Sequence, residues 1–432
     1  MSSSTPPDQP PVSSSTDSDT PPRIVITGIG IVSAVGNDTA STWEAVQAGR
    51  SGVGLVTEFD PAAYDVRIAA EVKGFDPRLY LDPKEIRRNN RFVQFAVAAT
   101  QQALTDARYT IPGDGDDVGV VIGSGGGGLD SLTDSFNTLF YRGADRISPF
   151  FITQLVTDMA AGYVAMKFGA RGPNFATVSA CATSANAIGE AWEIMRRGDA
   201  RAMITGGAEF APTKIALAAF ASMHALSARN DEPQRASRPF DAERDGFVIG
   251  AGAGVLLLER LDDALARGAP IYAEIVGYAS TADAHHITEP APGGAGLARA
   301  IRRALKKADL SPDAVDYVNA HGTSTKYNDR DETTALKSVF GDHARHLAIS
   351  STKSMIGHTM GAAGAIETAV TALTLKHGII TPTINYEHPD PECDLDYVPN
   401  ESRKADVRVA LKESMGFGGH NAVLVLKRFD GA

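Results

Sequence analysis

Only two cysteines occur in the 432 residues, Cys181 and Cys393, and no C-x-x-C spacing joins them. This excludes a disulfide framework or a zinc site built on paired thiolates, and points to a reducing cytoplasm as the compartment. Basic residues are in the minority: 41 Lys and Arg stand against 52 Asp and Glu, a formal net charge of −11, which argues against a nucleic-acid partner. No apolar run is long and pure enough to span a bilayer, so no membrane partner is expected either. Apolar residues are almost lacking from residues 1–22, which are mostly Ser, Pro, Thr and Asp. Such a segment cannot bury enough surface to fold and is expected to be a disordered head; it also lacks the basic-then-apolar order of a secretion signal.

Glycine, by contrast, is abundant, with 42 residues. Two glycine motifs suggest nucleotide binding and fail on inspection. Arg23-Ile-Val-Ile-Thr-Gly28-Ile-Gly30-Ile-Val-Ser33 predicts a buried strand followed by a glycine turn, but serine occupies the third glycine position of a dinucleotide fingerprint and no acidic strand end follows. The strand Val118 to Ile122 runs into Gly123-Ser-Gly-Gly-Gly-Gly128, which lacks the Lys-Ser/Thr pair of a phosphate loop and is expected to be a flexible turn.

Three strand-to-turn junctions carry reactive side chains. In Asn174-Phe-Ala-Thr-Val-Ser-Ala-Cys181-Ala-Thr-Ser, a strand over Phe175 to Val178 breaks into a helix with Ala185, Ile188, Ala191, Trp192 and Met195 at helical spacing. A cysteine at a helix N-terminus faces unpaired N–H groups, so a thiolate near neutral pH is expected there. Cys393, among Glu392, Asp394 and Asp396, has neighbours that disfavour a thiolate. The second junction is Tyr317-Val-Asn-Ala-His321-Gly-Thr-Ser-Thr. The third is Ile349-Ser-Ser-Thr-Lys353-Ser-Met-Ile-Gly-His358, followed by a small-residue helix from Gly361 to His377. From Pro270 onward the strand and helix order of the first half repeats, which argues for mainly parallel α/β architecture.

These segments, with Gly416-Phe417-Gly418-Gly419-His420-Asn421, resemble the elongating β-ketoacyl-[acyl-carrier-protein] synthases, in the family's order and at its intervals from about Arg23 to Arg428. The resemblance implies a thiolase-like α/β fold. It implies two related halves, 23–269 and 270–429, forming a five-layered αβαβα core, and normally a homodimer; no cofactor and no catalytic metal are expected. Cys181 is implied as the residue that holds an acyl chain as a thioester, with its own N–H and that of Phe417 as an oxyanion hole. His321 and His358 are implied as donors to the malonyl thioester oxygen. Lys353 is implied to tune His358 and to interact with Glu367, with Thr323 and Thr325 supporting the site. Gly416, Gly418 and Gly419 are expected to let the Phe417 ring swing aside. The basic cluster Lys84, Arg87, Arg88 and Arg91 is implied as the docking patch for acyl carrier protein.

Departures from the family pattern fall at Ala251, where an acidic residue is usual, and at Glu413, Met415 and His420. Lys326-Tyr-Asn-Asp-Arg, after the His321 motif, is similar to aromatic polyketide synthases, so a polyketide ketosynthase is the alternative expectation. A non-catalytic chain-length-factor subunit is a third, opposed by the presence of Cys181, His321 and His358.

Overall fold

The computed structural model describes residues 21–431; residues 1–20 of the expected disordered head lie outside the described residues. Ten strands join in one sheet. Its order from one edge is Ala348–Ser350, Tyr317–Asn319, Val409–Gly416, His420–Lys427, Ala273–Ala282, Ile24–Val32, Ala251–Arg260, Ala202–Phe210, Val118–Gly123 and Asn174–Phe175. From the middle outward, each run of five makes two antiparallel pairings and then two parallel ones. The runs meet only through Ile24 to Ile26 against Ala273 to Ile275.

Helices fill the space between and around these two half-sheets. Thr183–Arg197 and Ala363–His377 lie between them, in a core that includes Ile188, Trp192, Ile366, Val370, Leu256 and Leu424. Every residue of the second helix from Ala363 to Leu375 is buried, as a helix covered on all sides must be, and its composition is correspondingly small and mostly apolar, with Glu367 the one charged residue of that stretch. Arg91–Asp106 and Met159–Phe168 cover the outer face of the first half-sheet. Ala295–Lys307 and Lys326–Phe340 cover that of the second, and Ala295–Lys307 keeps its charged residues on the solvent side. The result is five alternating layers of helix and sheet.

Two local expectations need correction. Gly28 and Gly30 lie inside the strand Ile24–Val32 rather than in a turn. A Cβ on either would fall 2.1 Å from the Ala103 carbonyl oxygen or 1.8 Å from that of Ala99, so these glycines let Arg91–Asp106 settle against the sheet. The strand before Cys181 is only Asn174–Phe175; Phe175 and Val178 are 41% and 58% exposed, so their apolar character does not record burial in this chain. The helix Lys326–Phe340 starts one turn after the His321 junction.

Candidate active site

Past the edge strand the chain turns through Ala180, which adopts φ +50°, a conformation costing roughly 1–3 kcal/mol for a residue with a Cβ. One 3₁₀ turn, Ala180–Ala182, then feeds the helix Thr183–Arg197. Thr183 clamps this elbow: its hydroxyl accepts the Ser179 N–H at 2.9 Å, and its carbonyl accepts the Thr177 hydroxyl at 2.8 Å. Across from it, a Cβ at Gly416 would lie 2.7 Å from the Ser179 oxygen and 3.1 Å from the Cys181 nitrogen, so glycine alone permits this approach. Phe417, Gly418 and Gly419 form the tip of the hairpin between Val409–Gly416 and His420–Lys427, with both glycines at positive φ. The Gly418 N–H donates to the Ile287 carbonyl at 2.8 Å, and the Phe417 ring stands 6.4 Å from that of Phe220.

The partly buried Cys181 opens onto a cavity of about 660 Å³, also lined by His321, His358, Phe247, Phe417 and Glu209. Burial pushes its thiol up to about 11, while the Lys353 charge and the N–H groups of Phe417 and Cys181 itself pull it down. The expectation of a resting thiolate is thus corrected: desolvation outweighs the helix N-terminus, and the sulfur waits as a thiol. Cys393 is wholly buried in the outer core, and burial pushes its thiol up to about 12, with Arg244 opposing; burial outranks the carboxylates named from the sequence.

His321 and His358 converge on the cavity from two strand ends of the second half, with ring centroids 5.5 Å apart and planes at 85°. Glu332 pins the first junction by accepting the His321 N–H at 2.6 Å and the Gly322 N–H at 2.8 Å. His358 is held through its own backbone, N–H to the Val248 carbonyl at 2.7 Å, and by Phe247 at a centroid distance of 5.4 Å. Its Nδ1 accepts the Met360 N–H at 3.3 Å, which places the ring proton on Nε2. Burial, then Lys353, holds both imidazoles well below their usual range, so both are neutral N–H donors at pH 7. The hydroxyls of Thr323 and Thr325, 2.9 Å apart, continue the same wall of the cavity.

Lys353 does not line the cavity. It is buried behind the histidines with Nζ 2.6 Å from Glu367 Oε1. A second lysine, Lys412, reaches Glu367 Oε2 at 2.9 Å, and Glu413 lies beside Glu332, both pushed up by burial. No donor faces the Glu413 carboxyl among the described residues, and burial, then the neighbouring Glu332 carboxyl, pushes it well above the usual carboxylate range. Glu413 stands out in the sequence only as a departure from the family pattern, and Lys412 and Glu332 are not singled out, although Lys412-Glu413 in the strand Val409-Ala-Leu is a charged pair where apolar residues belong.

Glu209 was also unread. The segment expected to be a flexible glycine turn is instead a cradle for its carboxylate: Ser124 Oγ and the N–H groups of Gly125, Gly126 and Gly361 donate to it at 3.1, 2.7, 3.1 and 3.0 Å. The cradle binds an internal carboxylate, which is why the loop needs neither lysine nor metal. Ala251 is buried in the apolar layer under Arg91–Asp106 and makes no polar side-chain contact. Met415 and the exposed His420 line the cavity. Lys84, Arg87, Arg88 and Arg91 are all exposed, far in sequence from the elbow, on the helix Pro83–Arg88 and at the start of the next. Arg91 is engaged with Glu58 and stacks 4.7 Å above Phe210; Arg88 stands over Phe150 at 5.2 Å. Among the described residues no group of three or more His, Cys, Asp or Glu is arranged to hold a metal, and no helix is long and apolar enough to cross a membrane.

The model of the β-ketoacyl synthase N-terminal domain matches residues 22–264, and that of the C-terminal domain matches residues 272–387. The chain belongs to the β-ketoacyl synthase family. Among family members, the 3-oxoacyl-[acyl-carrier-protein] synthase 2 of Synechocystis sp. is 51% identical over 94% of this chain and 98% of its own length. That of Staphylococcus aureus is 50% identical over 94% and 99%. A β-ketoacyl synthase structure from Burkholderia phymatum STM815 is 37% identical with a TM-score of 0.88, covering 94% of this chain and 100% of that one. A type II polyketide ketosynthase, solved in complex with its acyl-carrier protein and bound to the hexaketide, is 35% identical with a TM-score of 0.87 over 95% and 100%. The five layers are therefore the thiolase-like fold of these synthases.

Proposed function

We propose that the protein is an elongating 3-oxoacyl-[acyl-carrier-protein] synthase, which condenses an acyl group with malonyl-[acyl-carrier-protein] and lengthens a fatty acid by two carbons. The observation that carries this reading is the convergence of one cysteine and two neutral histidines on a single cavity, in a chain about half identical to 3-oxoacyl-[acyl-carrier-protein] synthases. In the first half-reaction the Cys181 sulfur attacks the acyl thioester, its proton leaves with the departing carrier thiol, and the Cys181 and Phe417 N–H groups hold the transient oxyanion. In the second, the malonyl C–C bond breaks, carbon dioxide leaves, and the electron pair passes to an enolate whose oxygen accepts hydrogen bonds from His321 and His358. The enolate carbon then attacks the acyl carbon and expels the Cys181 sulfur. Lys353 and Glu367 fix the charge behind the histidines, and Thr323 and Thr325 complete the wall.

Purified protein given acyl- and malonyl-loaded carrier protein should yield the 3-oxoacyl product two carbons longer, one carbon dioxide released per bond formed. Absence of that product across a ladder of acyl primers would remove the proposal. The alternative, a type II polyketide ketosynthase, draws on Lys326 and Tyr327 at the cavity's exposed rim, but its solved representative stands at 35% identity against 50–51% for the fatty acid enzymes.

The same reading makes acyl carrier protein the partner of the basic patch. Lys84, Arg87 and Arg88 form no salt bridge among the described residues, which leaves their charge for an acidic surface. Arg87→Glu with Arg88→Glu should raise the apparent KM for carrier-borne substrates about tenfold at low salt and spare small pantetheine thioesters. The difference should shrink toward 1 M salt as the Debye length falls from about 10 Å to about 3 Å. Equal loss on both substrate types would relocate the docking patch.

We further propose a homodimer, and a division into halves near 269/270, in line with the two family matches. In support of the dimer, the helix Leu129–Arg142 buries none of its residues, Phe140 and Tyr141 are 77% and 85% exposed, and the sheet ends on the open edge strand Asn174–Phe175. Apolar surface of this kind is characteristic of an interface. Sedimentation velocity at micromolar concentration should report twice the chain mass, and a monomer would end the proposal.

A further inference from the structure

Behind the cavity stands a charge for which Lys353 and the histidines do not account. Lys412 lies in the strand Val409–Gly416 opposite Asn319 of the neighbouring strand, two residues before His321. Side chains alternate along this strand: Ala410 faces the central helices and Leu411 the outer ones. Lys412 therefore points inward at the helix Ala363–His377, and Glu413 outward at Lys326–Phe340. Lys412 is 0% exposed, with Nζ 2.9 Å from Glu367 Oε2, while Lys353 Nζ stands 2.6 Å from Oε1 of the same carboxylate. The Lys412 ammonium also donates to the Glu413 carbonyl and, at 3.3 Å, to the Ser414 hydroxyl.

One carboxylate thus lies between two lysines; burial pushes the Lys412 ammonium down from its usual range and Glu367 holds it up, and with both lysines protonated the inner face carries one positive charge in excess. Burying that charge is costly, and packing alone does not demand it, since a methionine would occupy similar volume without desolvating an ion. A buried lysine placed against a reaction centre has its use in the charge that appears there.

We propose that Lys412 is a positioning residue for the decarboxylating half of the reaction: by sharing Glu367 with Lys353 it leaves one positive charge in excess behind His321 and His358, where the malonyl thioester oxygen becomes negative. The inference rests on the condensing activity proposed above. When the malonyl C–C bond breaks, its electron pair moves onto the enolate and carbon dioxide departs, so negative charge gathers within the field of this lysine pair. Lys353 and Lys412 also both favour the neutral imidazoles, after burial. The two lysines differ at the nucleophile: the Lys353 charge pulls the Cys181 thiol down, whereas the Lys412 ammonium is turned to Glu367, the Glu413 carbonyl and the Ser414 hydroxyl. Lys412 should accordingly serve one half-reaction and leave the other alone.

The test uses the full chain with carrier-borne substrates and reads the half-reactions separately. Lys412→Met should accept a labelled acyl group on Cys181 within about twofold of the wild-type rate. Its release of labelled carbon dioxide from malonyl carrier protein should fall about ten- to thirtyfold in kcat with KM little changed, the scale for one unit charge about 8–12 Å from a forming anion at an effective dielectric near 20. If methionine is not accommodated, Lys412→Ala with added ethylammonium carries the test, and the amine should restore carbon dioxide release in a dose-dependent way. Unchanged carbon dioxide release in Lys412→Met, or equal loss in both half-reactions, would overturn the assignment and leave a structural lysine. Wild-type protein that releases no carbon dioxide at all would instead overturn the condensing reading.

Discussion

Cys181→Ala will keep its fold and lose condensation by on the order of 10⁶, the scale seen when a covalent nucleophile is removed from a site that acts as a unit. The fold survives because Ala180 and Ala182 already flank the position, the helix Thr183–Arg197 is anchored by Thr183 rather than by the cysteine, and only one sulfur atom is withdrawn from a partly open cavity. Cys181→Gln makes the sharper variant. Its amide reaches the place of the acyl carbonyl, where the Cys181 and Phe417 N–H groups gather, yet nothing on it can be acylated. His321 and His358 remain in place, so this variant should continue to release carbon dioxide from malonyl carrier protein while forming no carbon–carbon bond. Cys393→Ala should be kinetically silent, since that thiol is enclosed in the outer core and held up to about 12. The measurements are thioester labelling, labelled carbon dioxide release and product mass for all three. Condensation by Cys181→Ala would remove the nucleophile assignment, and equal loss in Cys393→Ala would move it.

The reactive side chains could be found in the sequence because each lies in a junction that follows a strand and stands among small residues, which is a local pattern. Cys181, His321, Lys353 and His358 are all of this kind. The groups that govern them arrive from elsewhere in the chain. Glu332 is 11 residues from His321 in sequence and reaches its N–H only after Lys326–Phe340 folds back as an outer helix. Lys412 meets Glu367 only because a strand and a central helix from different parts of the second half share one layer. Glu209 joins the first half to Gly361 of the second. No local periodicity records such pairings. Where a local principle was applied alone it also erred: a helix N-terminus lowers a thiol, but at Cys181 desolvation is the larger effect. Glycine motifs misled for a related reason, since Gly28 and Gly30 answer to a helix about seventy residues away.

His321→Ala should divide the reaction at the point where its two charge demands separate. Acyl transfer needs the Cys181 sulfur and the N–H pair on the elbow and hairpin, and these lie with Gly416 rather than with His321. Decarboxylation needs neutral N–H donors facing the malonyl thioester oxygen, and burial together with Lys353 keeps both imidazoles in that form. Removing one donor of two costs on the order of 10²–10³ in rate, so carbon dioxide release should fall by that factor and not vanish, because His358 stays pinned by Val248 and Met360. Acyl labelling of Cys181 should persist at near the wild-type rate, and His321→Gln, which keeps an N–H donor, should recover part of the loss. Decarboxylation at the wild-type rate in His321→Ala would mean that the enolate oxygen is held elsewhere in the cavity. Loss of acyl labelling in the same variant would mean that His321 also takes the proton from the Cys181 thiol, a second task that the 5.5 Å spacing of the two rings does not by itself require.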